Sequence, residues 1–120
     1  MAWIYVAATI ILTVYGQIVV KWQVLRSGDL PASLQGKSEF FLHLLTNPWV
    51  ISVMAAAFLA ALSWMAAMTR LPLSRAYPFV GLSFALVLIL SAVFFNEQLT
   101  VAKIAGIGLI IAGLVVGSQV

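Results

Sequence analysis

Long apolar runs alternate with short charged or turn-forming stretches along this chain. Residues 2–20 carry no charge and stop at Lys21, and residues 48–69 carry none and stop at Arg70. Residues 76–96 carry none and stop at Glu97, and a last apolar run over 104–120 follows Lys103. A helix that crosses a membrane needs about 20 consecutive, mostly apolar residues. The pattern therefore predicts four spans, near 2–21, 48–70, 75–96 and 101–119, in one domain covering 1–120.

The boundaries have local causes. Asn47 before Pro48 reads as an N-cap with proline at the first helical position. Leu71-Pro72 breaks the chain between the second and third spans, and Thr100 is placed to cap the fourth. Tyr77-Pro78 falls near the start of the third span, where a proline costs least or makes a kink. The first connection is long, about 21–47. Its Ser27-Gly28-Asp29 with Pro31 is turn chemistry, and Ser38-Glu39 then opens an apolar stretch, Phe40, Phe41, Leu42, Leu44 and Leu45. That stretch predicts a short helix lying on the membrane surface, with an extension of the second span at headgroup level as the other reading. The expected fold is an all-α membrane protein: four transmembrane helices in an antiparallel bundle, with this interfacial helix in loop one.

Composition narrows the solvent. The chain is 64% hydrophobic and 8% charged, against about 25% charged residues in soluble domains. Lipid must therefore solvate most of it. The net charge is +3, but the Lys and Arg residues fall between apolar runs and form no basic patch, which argues against a nucleic-acid partner. They resemble cations that anchor helix ends at the headgroup layer. Loops one and three hold Lys21, Arg26, Lys37 and Lys103, and the other side holds Arg70 and Arg75, an excess that favours loops one and three in the cytoplasm. The first run has no basic n-region and no clear small-residue cleavage site, so a retained helix is expected rather than a signal peptide. There is no cysteine, and His43 stands alone in loop one, which leaves no metal site or catalytic triad to build. No Asp, Glu or His lies in the middle of a span, so a proton relay through a buried carboxylate is not available. The chain is expected to be no enzyme and to need no cofactor.

Candidate chemistry concentrates in the first helix. Thr9, Thr13, Gly16, Gln17 and Lys21 form one broad stripe. Polar groups inside the membrane usually face protein or a water-filled cavity, and a glutamine amide has too many donors and acceptors to satisfy on its own helix. The competing reading has the threonines bonding their own backbone and Gly16 giving close packing. Lys21 and Glu97 lie on one membrane side, either as an ion pair or each alone in the headgroup layer. Arg75 opens the third helix next to Tyr77, and its guanidinium suits a phosphate as well as an interfacial anchor. Ser52, Ala56, Ser63 and Ala67 form a small-residue stripe that intramolecular packing explains. Gly106, Gly113 and Gly117 share a face of the fourth helix, the last two as G-x-x-x-G, and predict a dimer contact. Trp3, Trp22 and Trp49 suit an aromatic belt. Trp64 is deeper, for core packing or a ligand.

Leu73-Ser74-Arg75-Ala76-Tyr77-Pro78-Phe79, Asn96-Glu97-Gln98-Leu99-Thr100 and Ile110-Ile111-Ala112-Gly113 resemble the last two helices of the drug/metabolite transporter superfamily. Tyr15-Gly16-Gln17 with Lys21 extends the likeness over nearly the whole chain apart from loop one. Two four-helix branches compete. The small multidrug resistance transporters are antiparallel dimers coupled to protons by a glutamate in helix one. Here that position is Thr13, and Val80 replaces an aromatic that follows the helix-three tyrosine. The Gly16-Gln17 pair, Ala76-Tyr77-Pro78 and the Glu97 segment are more similar to the EamA-like branch, which includes aminoarabinose–undecaprenyl-phosphate flippase subunits. This resemblance implies moving a polyprenyl-phosphate-linked sugar, or a related lipid, between leaflets of a bacterial inner membrane, as a homodimer or with a paralogous subunit. Thr13, Gln17, Tyr77 and Trp64 would line the substrate site, and Lys21 or Arg75 would hold the phosphate. Two alternatives stay open: an exporter of cationic or polar metabolites with Glu97 as its coupling group, and a non-transporting membrane partner subunit.

Overall fold

A computed structural model describes residues 2–117. In chain order it forms α1 (Ala2–Ser27), α2 (Leu34–Leu45), α3 (Pro48–Met68), α4 (Leu73–Phe95) and α5 (Val101–Gly117). Helices α1, α3 and α4 are long and apolar enough to cross a membrane. Helix α5 is equally apolar with 17 residues; residues 118–119 of the expected fourth span lie outside the described range.

Several ends match their sequence signals. Asn47 caps α3 by accepting a hydrogen bond from the Trp49 amide at 2.8 Å, with Pro48 at the first helical position. Thr100 caps α5, its hydroxyl accepting from the Lys103 amide at 3.2 Å. Three expectations need correction. Helix α1 does not end at Lys21 but continues to Ser27. Lys21 ends the apolar stretch, not the helix, because nothing between it and Gly28 breaks a helix; Gly28, at φ +86°, supplies the left-handed turn that does. Helix α2 opens at Leu34, not at Ser38, because the Ser33 hydroxyl accepts from the Gly36 amide at 3.0 Å. Helix α4 starts at Leu73, earlier than expected, directly after Pro72. It ends on Asn96, whose φ of +54° is the left-handed cap that asparagine tolerates.

Helix α1 is the centre of the molecule. Helix α3 packs along it most extensively, α4 next, and α5 sits against α4. Val6, Ile10 and Val14 of α1 meet Ala67 of α3 and Ala76 of α4, both fully buried, with Trp64, Leu71 and Phe79 around them. Apolar burial drives little of this in lipid, where association depends on close backbone approach and on interhelical hydrogen bonds. The sequence provides both. Ala56, Ala60 and Ala67 let α3 approach closely, and the Thr9 hydroxyl reaches Tyr5 O at 2.8 Å and, across the helix pair, Ala60 O at 3.4 Å. Thr9 is therefore a packing residue, not part of a cavity wall.

Two aromatic levels bracket the spans. Trp22 meets Trp49 edge-on at 5.1 Å, and Trp3 meets Phe79 at 5.0 Å. Trp3 and Trp22 are separated by roughly 28 Å of helix at 1.5 Å per residue, close to the thickness of a bilayer's hydrocarbon core. Between these levels the exposed surface is large and apolar, including Phe58, Leu59, Phe84 and Leu109. Such a surface suits lipid and no aqueous solvent.

Candidate functional site

The polar stripe of α1 divides in two. Thr9 turns inward. Thr13, Gly16 and Gln17, with Leu12 and Val20, line a groove of about 220 Å³ whose other wall is Val53, Ala57 and Ala60 of α3. The groove exists because small residues face each other there: a Cβ on Gly16 would stand 3.4 Å from Val53 Cγ1. Among the described residues, neither the Thr13 hydroxyl nor the Gln17 amide has a hydrogen-bond partner, although Thr9 one turn earlier bonds back to its own helix. An unpartnered amide in the hydrocarbon layer costs about 1–3 kcal/mol or more. Something from outside the chain, water or a ligand group, must meet it.

Hydroxyl and amide together offer donors and acceptors without net charge. That inventory matches a neutral, hydroxyl-rich group better than an oxyanion. The cation lies one turn beyond. Lys21, four residues after Gln17, sits 3.9 Å from Glu97, with side chains 48% and 42% exposed. The expected pair thus forms at the outer limit of an ion-pair distance. At that exposure it is worth at most about 1 kcal/mol. Glu97→Gln is accordingly expected to shift thermal stability in detergent only slightly, and a large loss would show a tighter pair.

The other candidates gather elsewhere. Trp64 and Tyr77 meet edge-on at 6.0 Å, where Trp64 also packs on the central cluster. Arg75 lies over the Trp3 ring at 5.9 Å, at the opposite end of α1 from Lys21. One chain therefore does not bring Arg75 to the Thr13–Gln17 groove. A larger hollow, about 590 Å³, is at that same far end between Tyr5 and Arg70. Its Thr69 hydroxyl donates to Ala66 O at 2.6 Å, and its remaining polar side chains are Tyr5 and Arg70. Gly106 touches only a shallow hollow beside Phe84 and Leu88. Around Gly113 and Gly117 no atom of the described chain comes within reach of an added Cβ. No residue of α5 is buried, so this glycine face is open, as a contact with a second chain requires.

Sequence reasoning missed Gln23. It is 4% exposed, and its Oε1 accepts from Asn47 Nδ2 at 3.0 Å, tying the end of α1 to the start of α3. Ending the first helix at Lys21 put Gln23 in a loop. The signal available was its position four residues after Val19 on an unbroken helix.

The model of a family described as the EamA-like transporter family matches residues 1–118. A probable 4-amino-4-deoxy-L-arabinose-phosphoundecaprenol flippase subunit ArnF from Erwinia tasmaniensis is 37% identical, over 95% of this chain and 91% of its own length. A probable flippase subunit ArnE of the same description, from Aeromonas salmonicida, is 37% identical over 86% of this chain and 84% of its own. The ArnF counterpart from Pseudomonas syringae is 35% identical over 89% of this chain and 76% of its own. No solved structure matches.

Proposed function

We propose that this chain, which belongs to the EamA-like transporter family, is one subunit of a flippase for a polyprenyl-phosphate-linked aminosugar in a bacterial inner membrane. The observation that carries this reading is the α1–α3 groove, where Thr13 and Gln17 lack partners and Lys21 follows one turn later. The sugar takes the groove, its hydroxyls and amine exchanging hydrogen bonds with Thr13 and Gln17. The phosphate sits at headgroup level beside Lys21, and the polyprenyl chain stays in lipid. Tyr77, Trp64 and Arg75 then serve the substrate near the other leaflet.

In this reading α5 is the fourth span of an antiparallel bundle, and α2 lies in the interface with Phe41, Leu42 and Leu45, all exposed, among the acyl chains. A second subunit covers the Gly106–Gly113–Gly117 face. Relatives carry both the ArnE and the ArnF description, which supports a paralogous partner over a second copy of this chain. The alternative of a cation exporter has less support, since no described residue lining the groove is a carboxylate and Glu97 is exposed, beside Lys21.

Thermal stability in detergent tests the ligand class. Aminoarabinose-phosphoundecaprenol should raise the apparent stability of the subunit pair, by about 2.7 kcal/mol at a hundredfold excess over its Kd. A lipophilic quaternary cation should not. Stabilisation by the cation alone would replace the flippase reading with the exporter one.

A further inference from the structure

A second polar pocket opens where loop one meets the membrane surface. It has a volume of about 400 Å³ and is lined by Gln23, Arg26 and Ser27 of α1, His43 of α2, and Asn47, Pro48 and Trp49 at the start of α3. The hydrogen bonds around Gln23 fix its orientation. Asn47 Oδ1 is occupied by the Trp49 amide, so Asn47 Nδ2 must be the donor to Gln23 Oε1. Gln23 Nε2 is therefore left over, and it is buried with no hydrogen-bond partner. A buried amide N–H without an acceptor is rare and calls for an explanation.

The remaining groups indicate which acceptor. Arg26 brings a fixed positive charge and is held over the Trp22 ring at 5.7 Å. The N-terminal end of α3 adds the positive end of a helix dipole. The Ser27 hydroxyl donates to Gln23 O at 3.0 Å and is not among the donors left for a ligand. Among the described residues, no carboxylate lines the pocket. Arg26, Gln23 with its orphan amide N–H, and the first residues of α3 line one hollow with no carboxylate among its described lining residues, at the Trp22–Trp49 level where lipid headgroups lie.

We propose that this pocket is an oxyanion site that binds a phosphate monoester at the membrane surface. It stands apart from the Thr13–Gln17 groove. Phosphate binding needs neither turnover nor a partner subunit, so its failure would leave the transport reading untouched, and failure of transport would leave this site standing.

The test is calorimetric titration of the purified protein in a neutral detergent with dihexanoyl phosphatidic acid, with inorganic phosphate, and with dihexanoylglycerol as the phosphate-free control. Saturable binding of both phosphates, in competition, supports the site and shows that it reads the phosphate itself. Binding of the phosphatidic acid alone supports it and names a lipid as the source; binding of inorganic phosphate alone would overturn the monoester assignment. Arg26→Gln, at an exposed position, should weaken binding by about tenfold or more. Gln23→Glu keeps the acceptor for Asn47 and replaces the orphan donor with an oxygen, and it should weaken binding at least as much. No saturable binding, equal binding of the control, or unchanged affinity in folded Arg26→Gln protein would overturn the proposal.

Discussion

Replacing Gln17 by leucine is expected to lower transport of the sugar-bearing lipid by about tenfold to a hundredfold while leaving the protein as stable as before, or more so. Both halves follow from one observation. The Gln17 amide has no partner within the described chain and faces the groove beside Thr13 and Gly16. Its removal therefore breaks no internal hydrogen bond. Leucine is at ease in lipid, whereas an unpartnered amide there costs about 1–3 kcal/mol. The transport loss comes from the substrate, whose hydroxyl or amine would meet an apolar wall and go unsatisfied. Thermal unfolding and leaflet transfer, measured on the same preparation, separate the two. A fall in stability proportional to the fall in transport would make Gln17 a packing residue like Thr9.

Replacing Ala67 by leucine should produce the opposite pattern. Ala67 is 0% exposed and lies where α1, α3 and α4 converge. No space remains for three more carbons, and overpacking of this kind costs about 1–3 kcal/mol. In lipid the penalty is compounded, because separating the helices also forfeits the close approach that holds them. The expected result is a lowered unfolding temperature in detergent and loss of transport with it. Ala61→Leu, on the exposed side of the same helix, is the matched control and should unfold like the parent. If both variants unfold alike, the Ala67 junction is not what organises the helices.

The sequence was most legible where one residue decides one event. The Asn47-Pro48 start, the Thr100 cap and the break at Leu71-Pro72 each depend on local backbone chemistry, and each appears in the structure. It was least legible where charge and helix geometry part company. Hydropathy ended the first helix at Lys21, yet the helix ignores hydropathy and runs on to Gly28. That error hid Gln23 and the pocket around it. The stripe on α1 raised a related ambiguity. Spacing puts Thr9, Thr13 and Gln17 on a common broad face, but only the position of α3 decides which of them is covered. Thr9 meets Ala60 O, while Thr13 and Gln17 look into the gap beside Val53. The separation of Arg75 from Lys21, by contrast, was legible, because the alternation of spans puts the two on opposite sides. In the structure Arg75 lies over Trp3, at the other end of α1.

Leaflet transfer of the substrate tests the central claim most directly. Aminoarabinose-phosphoundecaprenol carries a primary amine, so a membrane-impermeant amine reagent reports how much of it faces outward in sealed proteoliposomes. With this chain and the proposed paralogous subunit reconstituted together, labelling is expected to proceed beyond the outer-leaflet share toward the whole pool, and the Gln17→Leu variant should slow it by at least about tenfold. Labelling that stops at the outer-leaflet share, with both folded subunits present, would contradict the account.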